Sequence, residues 1–327
     1  MPSKVPSNIP QTIPELNSAD QSNEIRCPVC EGSRLLFLYT SYDYNRETTK
    51  VPFKIYGCDT CGTGITVPQL RGAQLSLVYP KVYYNLNSYR NRDFKTSVMY
   101  KHQLEKVKLV KQVLSRGKLF DVGCGVGSFV LAAQENGYEA KGIEMSKDAV
   151  EFGKAIFFVD IFQGDILTYP LKVEVYDVVT LWHVFEHLPN PNEVLMKISS
   201  ILKQGGLLVI AVPNFASIQA RLFRSWWYHL DVPRHLYHYS ADSLAKIVSC
   251  HGFLVEKIEH YSGEHNWGGY VGSLFDLHSL HKESLFHKIS RKTYAAYLSH
   301  VLARIESVLK RGGTITLIAR KLEEEKS

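Results

Sequence analysis

Long apolar runs are missing: nothing in the 327 residues approaches the roughly 18 consecutive apolar positions of a membrane-spanning helix. The amino terminus also lacks the apolar core of a signal peptide, so the expected setting is cytoplasmic. Cysteine is scarce, with six residues, and nothing marks the chain as secreted, which argues against a disulfide framework. No segment repeats. The charge excess is small at +6, yet it is unevenly placed. Residues 1–117 hold 16 Lys and Arg against 9 Asp and Glu, whereas 118–327 hold 22 against 23. A basic front end of this kind can meet RNA or an anionic substrate such as a nucleotide sugar, although a solvated basic face is the favoured reading. What is present in quantity is apolar residue, 45% of the chain, enough for one large domain and a small one.

Four of the cysteines form Cys27-Pro-Val-Cys30 and Cys58-Asp-Thr-Cys61, each pair followed by a small or glycine-containing turn. Two such knuckles make a tetrahedral thiolate site for Zn2+, structural because no coordination position is left open. The 27 residues between the pairs exceed the usual gap of about 15 to 20, and a hairpin pairing 35–39 with 53–56 absorbs the excess. Cys124 and Cys250 stand apart and read as small packed residues.

The run Leu119-Phe120-Asp121-Val122-Gly123-Cys124-Gly125-Val126-Gly127 joins an apolar strand to a glycine turn and then to a helix. Glycines let a backbone bend sharply and approach a nucleotide-like ligand at a strand's carboxyl end. The spacing is G-x-G-x-G, and Ser128 stands where a dinucleotide fingerprint has Gly or Ala, which argues against a nicotinamide cofactor.

Strands expected at 118–122, 139–143, 175–181, 207–212 and 253–260 alternate with helices at 128–136, 147–155, 191–203 and 241–251. A helix over 98–114 precedes them. The alternation predicts an α/β fold with a Rossmann-like, doubly wound sheet. The expected organisation is a disordered arm at 1–24, a zinc ribbon at 25–66, a linker and leading helix at 67–117, and an α/β domain at 118–327. A helical insertion at 263–312 precedes the last strand at 314–319. Within it Tyr294, Tyr297, Leu298, Val301, Leu302, Ile305, Val308 and Leu309 recur at helical spacing, with Lys292, Arg304, Lys310 and Arg311 off that stripe. The apolar face is expected to pack on its own domain, with a dimer contact or a peripheral membrane contact as alternatives. With Trp226, Trp227 and Trp267 the region can form a lid.

The string LFDVGCGVGSF, Glu144 at the end of KGIEMS, the pair Gly164-Asp165 and the segment YDVVTLWHVFEHLPNP together resemble class I S-adenosylmethionine-dependent methyltransferases from about Lys118 to Lys321. The resemblance implies S-adenosyl-L-methionine as cofactor. Asp121, Gly123, Gly125 and Gly127 would line its methionine end, Glu144 would take the ribose hydroxyls and Asp165 the adenine amine. It also implies that the last strand inserts antiparallel beside 253–260. A four-cysteine ribbon in front is similar to that of sugar C-methyltransferases, and the EHLPNP phrase to quinone-type O-methyltransferases. Glu144 lies 21 residues past Gly123, close to the spacing of about 20 expected of a ribose-binding acid.

The run His183-Val184-Phe185-Glu186-His187 also matches the H-x-x-E-H signature of zinc proteases. That chemistry needs a long helix, whereas an apolar strand precedes the run and Pro189 and Pro191 follow it. A strand end at a substrate mouth is expected instead. The stretch from Trp226 to Tyr239 adds His229, Arg234, His235 and His238 among five aromatics. His183, with His235 or His238, is the candidate base, because a histidine near its operating pH can take the proton an acceptor loses as a methyl group arrives. The expected function is S-adenosylmethionine-dependent O- or C-methyl transfer to a small-molecule, sugar or glycan/lipid-precursor acceptor. A zinc-ribbon RNA methyltransferase and a non-catalytic methyltransferase-like interaction protein are the alternatives. Oligomeric state and acceptor atom stay open.

Overall fold

The computed structural model describes residues 25–70, 72–79, 86–89, 94–260, 262, 265–279 and 301–323. The arm at 1–24, much of the Tyr-rich linker, insertion residues Lys292, Tyr294, Tyr297 and Leu298, and the side chain of Trp267 lie outside that set. In chain order the strands are β1 Leu35–Ser41, β2 Phe53–Cys58, β3 Gly64–Val67, β4 Gly117–Val122, β5 Tyr138–Glu144 and β6 Ile161–Gln163. They continue with β7 Tyr176–Trp182, β8 Leu202–Pro213, β9 Tyr237–His238, β10 Phe253–Glu259 and β11 Thr314–Lys321. The helices are α1 Ala73–Val78, α2 Val98–Lys111, α3 Ser128–Glu135, α4 Lys147–Phe152, α5 Pro191–Ile201, α6 Ile218–Phe223, α7 Ala241–Ser249 and α8 His265–Ser279. A further helix covers 301–308.

These elements form two compact units, each drawn from three stretches of sequence: 1–80, 213–243 and 260–314 in one, 81–212, 244–259 and 315–327 in the other. The second, here the sheet unit, is built on a seven-stranded sheet of order β10-β11-β8-β7-β4-β5-β6. β4 lies parallel to both β5 and β7, β6 continues parallel beyond β5, and β11 pairs antiparallel with β10. The expected doubly wound α/β sheet is the fold observed. Its central strands are covered on both faces, which is why they read as unbroken apolar runs. Leu119, Val178 and Val209 are buried in one cluster with Phe129, Val130, Ala132 and Ala133 of α3 and Val107 and Val110 of α2. Each of the Leu, Val and Phe side chains contributes on the order of 1.5–3 kcal/mol. Local chemistry starts the helices: the Ser97 hydroxyl accepts the Tyr100 N–H at 3.2 Å, and the Ser146 hydroxyl accepts that of Ala149 at 3.3 Å.

The first unit, here the ribbon unit, contains a four-stranded sheet of order β1-β2-β3-β9, antiparallel throughout. The expected hairpin is present as β1 and β2, running from Leu35↔Cys58 to Ser41↔Phe53. Its core gathers Phe53, Ile55, Leu70, Val78, Phe223, Trp227, Leu230, Val232 and Tyr270. Arg234 is fully buried; its guanidinium donates to Asp43 Oδ1 at 2.5 Å, Asp231 Oδ1 at 2.8 Å and the Val78 carbonyl at 3.2 Å. The helix at 301–308 departs from expectation. Its buried face carries Ala303 and Glu306, while Val301, Ile305, Val308 and Leu309 are exposed. Polar contacts dock it: the Glu306 carboxylate accepts the Gln219 N–H at 2.9 Å and the Gln219 side-chain amide at 3.1 Å. No helix among the described residues is long and apolar enough to cross a membrane.

Candidate functional site

At the carboxyl edge of the sheet unit the glycine loop leaves β4 with Gly123, Gly125 and Gly127 at φ 68°, 55° and 78°. Side chains rarely adopt such angles, and a Cβ on Gly123 would lie 2.5 Å from Val184 Cγ2. The Gly123 and Cys124 N–H groups donate to the Ile143 carbonyl at 2.8 and 3.1 Å, tying the loop to β5. Glu144, the last residue of β5, then reaches back. Its Oε2 accepts the Gly125 N–H at 3.0 Å and its Oε1 the Ser146 N–H at 2.8 Å. Each oxygen keeps a second lone pair, enough for a vicinal diol.

Asp121 is buried beneath the same loop, where its Oδ1 accepts the Thr180 hydroxyl at 2.6 Å. Burial pushes its carboxyl up to about 7, against the lowering effects of the Thr180 hydrogen bond and the Lys106 charge. Asp165 follows β6 and is half-buried; its Oδ1 accepts the Leu167 N–H at 2.9 Å, a turn of its own. The Gly164 N–H donates to the Glu144 carbonyl at 3.0 Å, which brings Asp165 next to the Glu144 strand end. All six cofactor candidates therefore sit at one end of one sheet. Thr180 gave no sequence signal; the β4–β7 register, Asp121↔Thr180, is what places it.

His183 follows β7 with φ 56°, its N–H donating to the Ala211 carbonyl at 2.9 Å. Its Nδ1 lies 3.5 Å from Oε1 of the buried Glu186. Phe185–His187 is a single 3-10 turn, so H-x-x-E-H sits on no long helix.

In the ribbon unit the four cysteines converge, with all sulfurs within 4.8 Å of one another. Cys27 and Cys61 Sγ are 3.4 Å apart, as are Cys30 and Cys58 Sγ. Those separations exclude disulfides and approach the value of about 3.8 Å set by metal–sulfur bonds of about 2.3 Å in a tetrahedron. The two knuckles match: the Glu31 N–H returns to the Cys27 carbonyl and the Gly62 N–H to the Cys58 carbonyl, both at 2.8 Å. Burial raises the Cys58 thiol, but the N–H groups of Cys61 and Thr60 outweigh it and hold it at about 7. A donor set so arranged fits Zn2+.

Two histidines of the 229–238 stretch are fixed by carbonyl acceptors that admit one proton position each. His235 Nδ1 lies 2.9 Å from the His229 carbonyl and His229 Nε2 lies 2.9 Å from the His265 carbonyl, so those nitrogens carry the hydrogens. His238 Nε2 lies 2.9 Å from Thr66 Oγ1, and its ring stacks on Phe215. Burial lowers His238 to about 3 and His229 to about 4.

Residues 98–258 match a family model described as a methyltransferase domain. That stretch, about half of the chain, is similar to methyltransferase domains. It is similar to the ubiquinone biosynthesis O-methyltransferase of Proteus mirabilis, 27% identical over 106 residues, 30% of this chain and 42% of that one. The enzyme of the same name from Histophilus somni is 30% identical over 151 residues, 42% of this chain and 59% of that one. The chain spans about half the length of the curated relatives it matches. In fold, the chain is similar to the [4+2]-cyclase SpnF, with 18% identity and a TM-score of 0.51 over 79% of this chain and 99% of that chain.

Proposed function

We propose that the protein transfers a methyl group from S-adenosylmethionine to an oxygen or carbon of a small-molecule acceptor, with the four cysteines holding a structural zinc ion. The observation that carries this reading is Glu144 folded back over the glycine loop with both carboxylate oxygens held by N–H groups and still able to accept a diol. Bound there, the donor supplies a methyl group on a sulfonium. The glycine loop and Asp121 would hold its amino-acid end, Glu144 the ribose and Asp165 the adenine amine. A cationic donor favours the ionised form of Asp121, which burial otherwise disfavours.

His183 of the sheet unit and His235 of the ribbon unit are the candidate bases, each to be tested on its own. His183 Nδ1 stands 3.5 Å from Glu186 Oε1, and His235 donates its Nδ1–H to the His229 carbonyl with its Nε2 3.9 Å from Asp231 Oδ2, so each ring has a carboxylate beside it to stabilise the imidazolium that forms on proton uptake. His238, held neutral by burial, takes an orienting part. The names of the relatives make a hydroxylated aromatic ring the first acceptor class to test, with sugar-type acceptors second. Free thiols at all four ligand positions fit a reducing, cytoplasmic setting.

Calorimetric titration should show S-adenosylmethionine binding and no response to nicotinamide nucleotides. Incubation with labelled methyl donor, phenolic acceptors and fractionated metabolites should then label a product. H183A and H235A should each lower turnover by about 10²- to 10⁴-fold. Binding without any labelled product would favour a non-catalytic role, and product formation unchanged in both variants would remove the histidine assignment. Metal analysis should give zinc bound to the cysteines.

A further inference from the structure

The sheet that carries the cysteines does not stop at β3. Its edge is completed by β9, with Gly64↔His238 and Ile65↔Tyr237 paired and the Thr66 N–H donating to the Leu236 carbonyl at 3.0 Å. Thr66 also turns its hydroxyl toward the histidine stretch. Oγ1 lies 2.7 Å from the His235 carbonyl and 2.9 Å from His238 Nε2. We propose that Thr66 is a positioning residue that fixes His238 as the Nε2–H tautomer and so leaves Nδ1 as the only nitrogen of that ring able to accept a hydrogen bond.

The argument is a count of protons. A threonine hydroxyl has one, and a carbonyl can only accept. The proton therefore goes to the His235 carbonyl, the nearer partner, and the hydroxyl oxygen presents lone pairs to the imidazole. Nε2 must then bring the hydrogen. The ring has little freedom to escape this arrangement: Phe215 stacks on it with centroids 5.3 Å apart and planes at 29°. Behind it, Gly64 leaves no room, since a Cβ there would lie 2.9 Å from His238 Cβ and 2.8 Å from Phe215 Cε1. The same logic holds His235 and His229 through the carbonyls of His229 and His265, so the stretch carries a series of tautomers set by backbone and hydroxyl oxygens.

Resting on the methyltransferase reading above, this assignment narrows the acceptor. A neutral imidazole offering a lone pair receives a hydroxyl or N–H group and repels a carboxylate or phosphate. An acceptor group reaching Nδ1 of His238 would therefore have to be a hydrogen-bond donor, with Thr66 of β3 fixing which nitrogen receives it.

The test is long-range 15N–1H spectroscopy of histidine side chains in the full chain labelled with 15N-histidine, His238 being assigned by its loss in H238Q. Wild type and Thr66→Ser should show a protonated Nε2 and an unprotonated Nδ1 at His238 from pH 6 to 8. Thr66→Val should lose that single pattern and give averaged signals. A wild-type spectrum with Nδ1 protonated or with averaged nitrogens overturns the proposal, as does a Thr66→Val spectrum identical to wild type. If Thr66→Val does not fold, the wild-type and Thr66→Ser spectra decide it alone. S-Adenosylmethionine titrated into the same wild-type sample separates the two claims. Absence of binding removes the methyltransferase reading and leaves the tautomer assignment to its own spectrum.

Discussion

A carboxylate is worth most where both oxygens are spoken for, and Glu144 is in that position. Glu144→Gln replaces one acceptor oxygen with a donor, so either the Gly125 or the Ser146 N–H loses its partner. The expected cost is about 1–3 kcal/mol in thermal or chemical denaturation. S-Adenosylmethionine affinity should fall about tenfold or more by calorimetry, which corresponds to about 1.4 kcal/mol. Asp121 makes a different prediction because burial raises it to about 7. A folded-state value above the unfolded one, about 3.9, means its contribution to stability is complete at low pH and is lost as pH rises through 7. Wild type should therefore lose ground to Asp121→Asn in melting experiments between pH 6 and 8. Over the same range donor binding to wild type should tighten as Asp121 ionises, and binding to the variant should not. A pH-independent difference between the two proteins would show that Asp121 does not titrate there.

Elements divide into those written locally and those that exist only through a neighbour. The glycine loop, Glu144 and the two Cys-x-x-Cys pairs are legible because each is a short pattern whose chemistry depends on spacing along the chain. The strands β4, β5, β7, β8, β10 and β11 follow from apolar runs and punctuation for the same reason. β6 is three residues long and β9 two, and neither has a pattern that distinguishes it from loop. β9 is a strand because β3 offers it an edge, and Thr66 matters only once that pairing exists. The stripe around Val301 has helical spacing, yet a buried Glu306 bonded to Gln219 decides which side faces in. Arg234 gave an aromatic-rich segment with a charge in it, while its partner Asp43 lies 191 positions away. Asp43→Ala should strip a fully buried guanidinium of one of its two carboxylate partners. Removing one member of a buried pair costs about 3–5 kcal/mol, to be read by denaturant unfolding. Arg234→Lys should fail to restore stability, since one ammonium cannot reach both carboxylates and the Val78 carbonyl.

Across the whole molecule the two units should answer acid in opposite ways. Burial lowers His229 to about 4 and His238 to about 3. Burial alone would raise Asp231, but the Arg234 guanidinium outweighs it and holds it well below the usual carboxylate range. Both histidines sit below their unfolded value of about 6.5, so the unfolded chain binds protons first and the ribbon unit loses stability as pH falls from 6.5 toward 4. Asp231 extends the loss below about pH 4. Asp121 works the other way in the sheet unit. Hydrogen exchange at pH 7 and pH 5 should show protection falling in β1, β2 and β3 while β4 and β5 hold or gain. Uniform loss across both units would contradict this. Chelation should likewise lower protection first in β1 to β3, beside the four cysteines of the proposed zinc site.

The assembly of the ribbon unit from three separated stretches also sets an order of events during synthesis. The hairpin and its cysteines leave the ribosome early and close over short loops. Asp43 must nevertheless wait for Arg234, and β3 for β9, until the strands of the sheet unit between them have emerged. Contacts of such sequence separation are slow to form, because the loop must be closed before the contact can stabilise it. In the interval β3 presents an unpaired edge, the kind of surface on which nascent chains associate wrongly. The yield of native protein should therefore depend on how quickly residues 213–243 arrive to cover that edge.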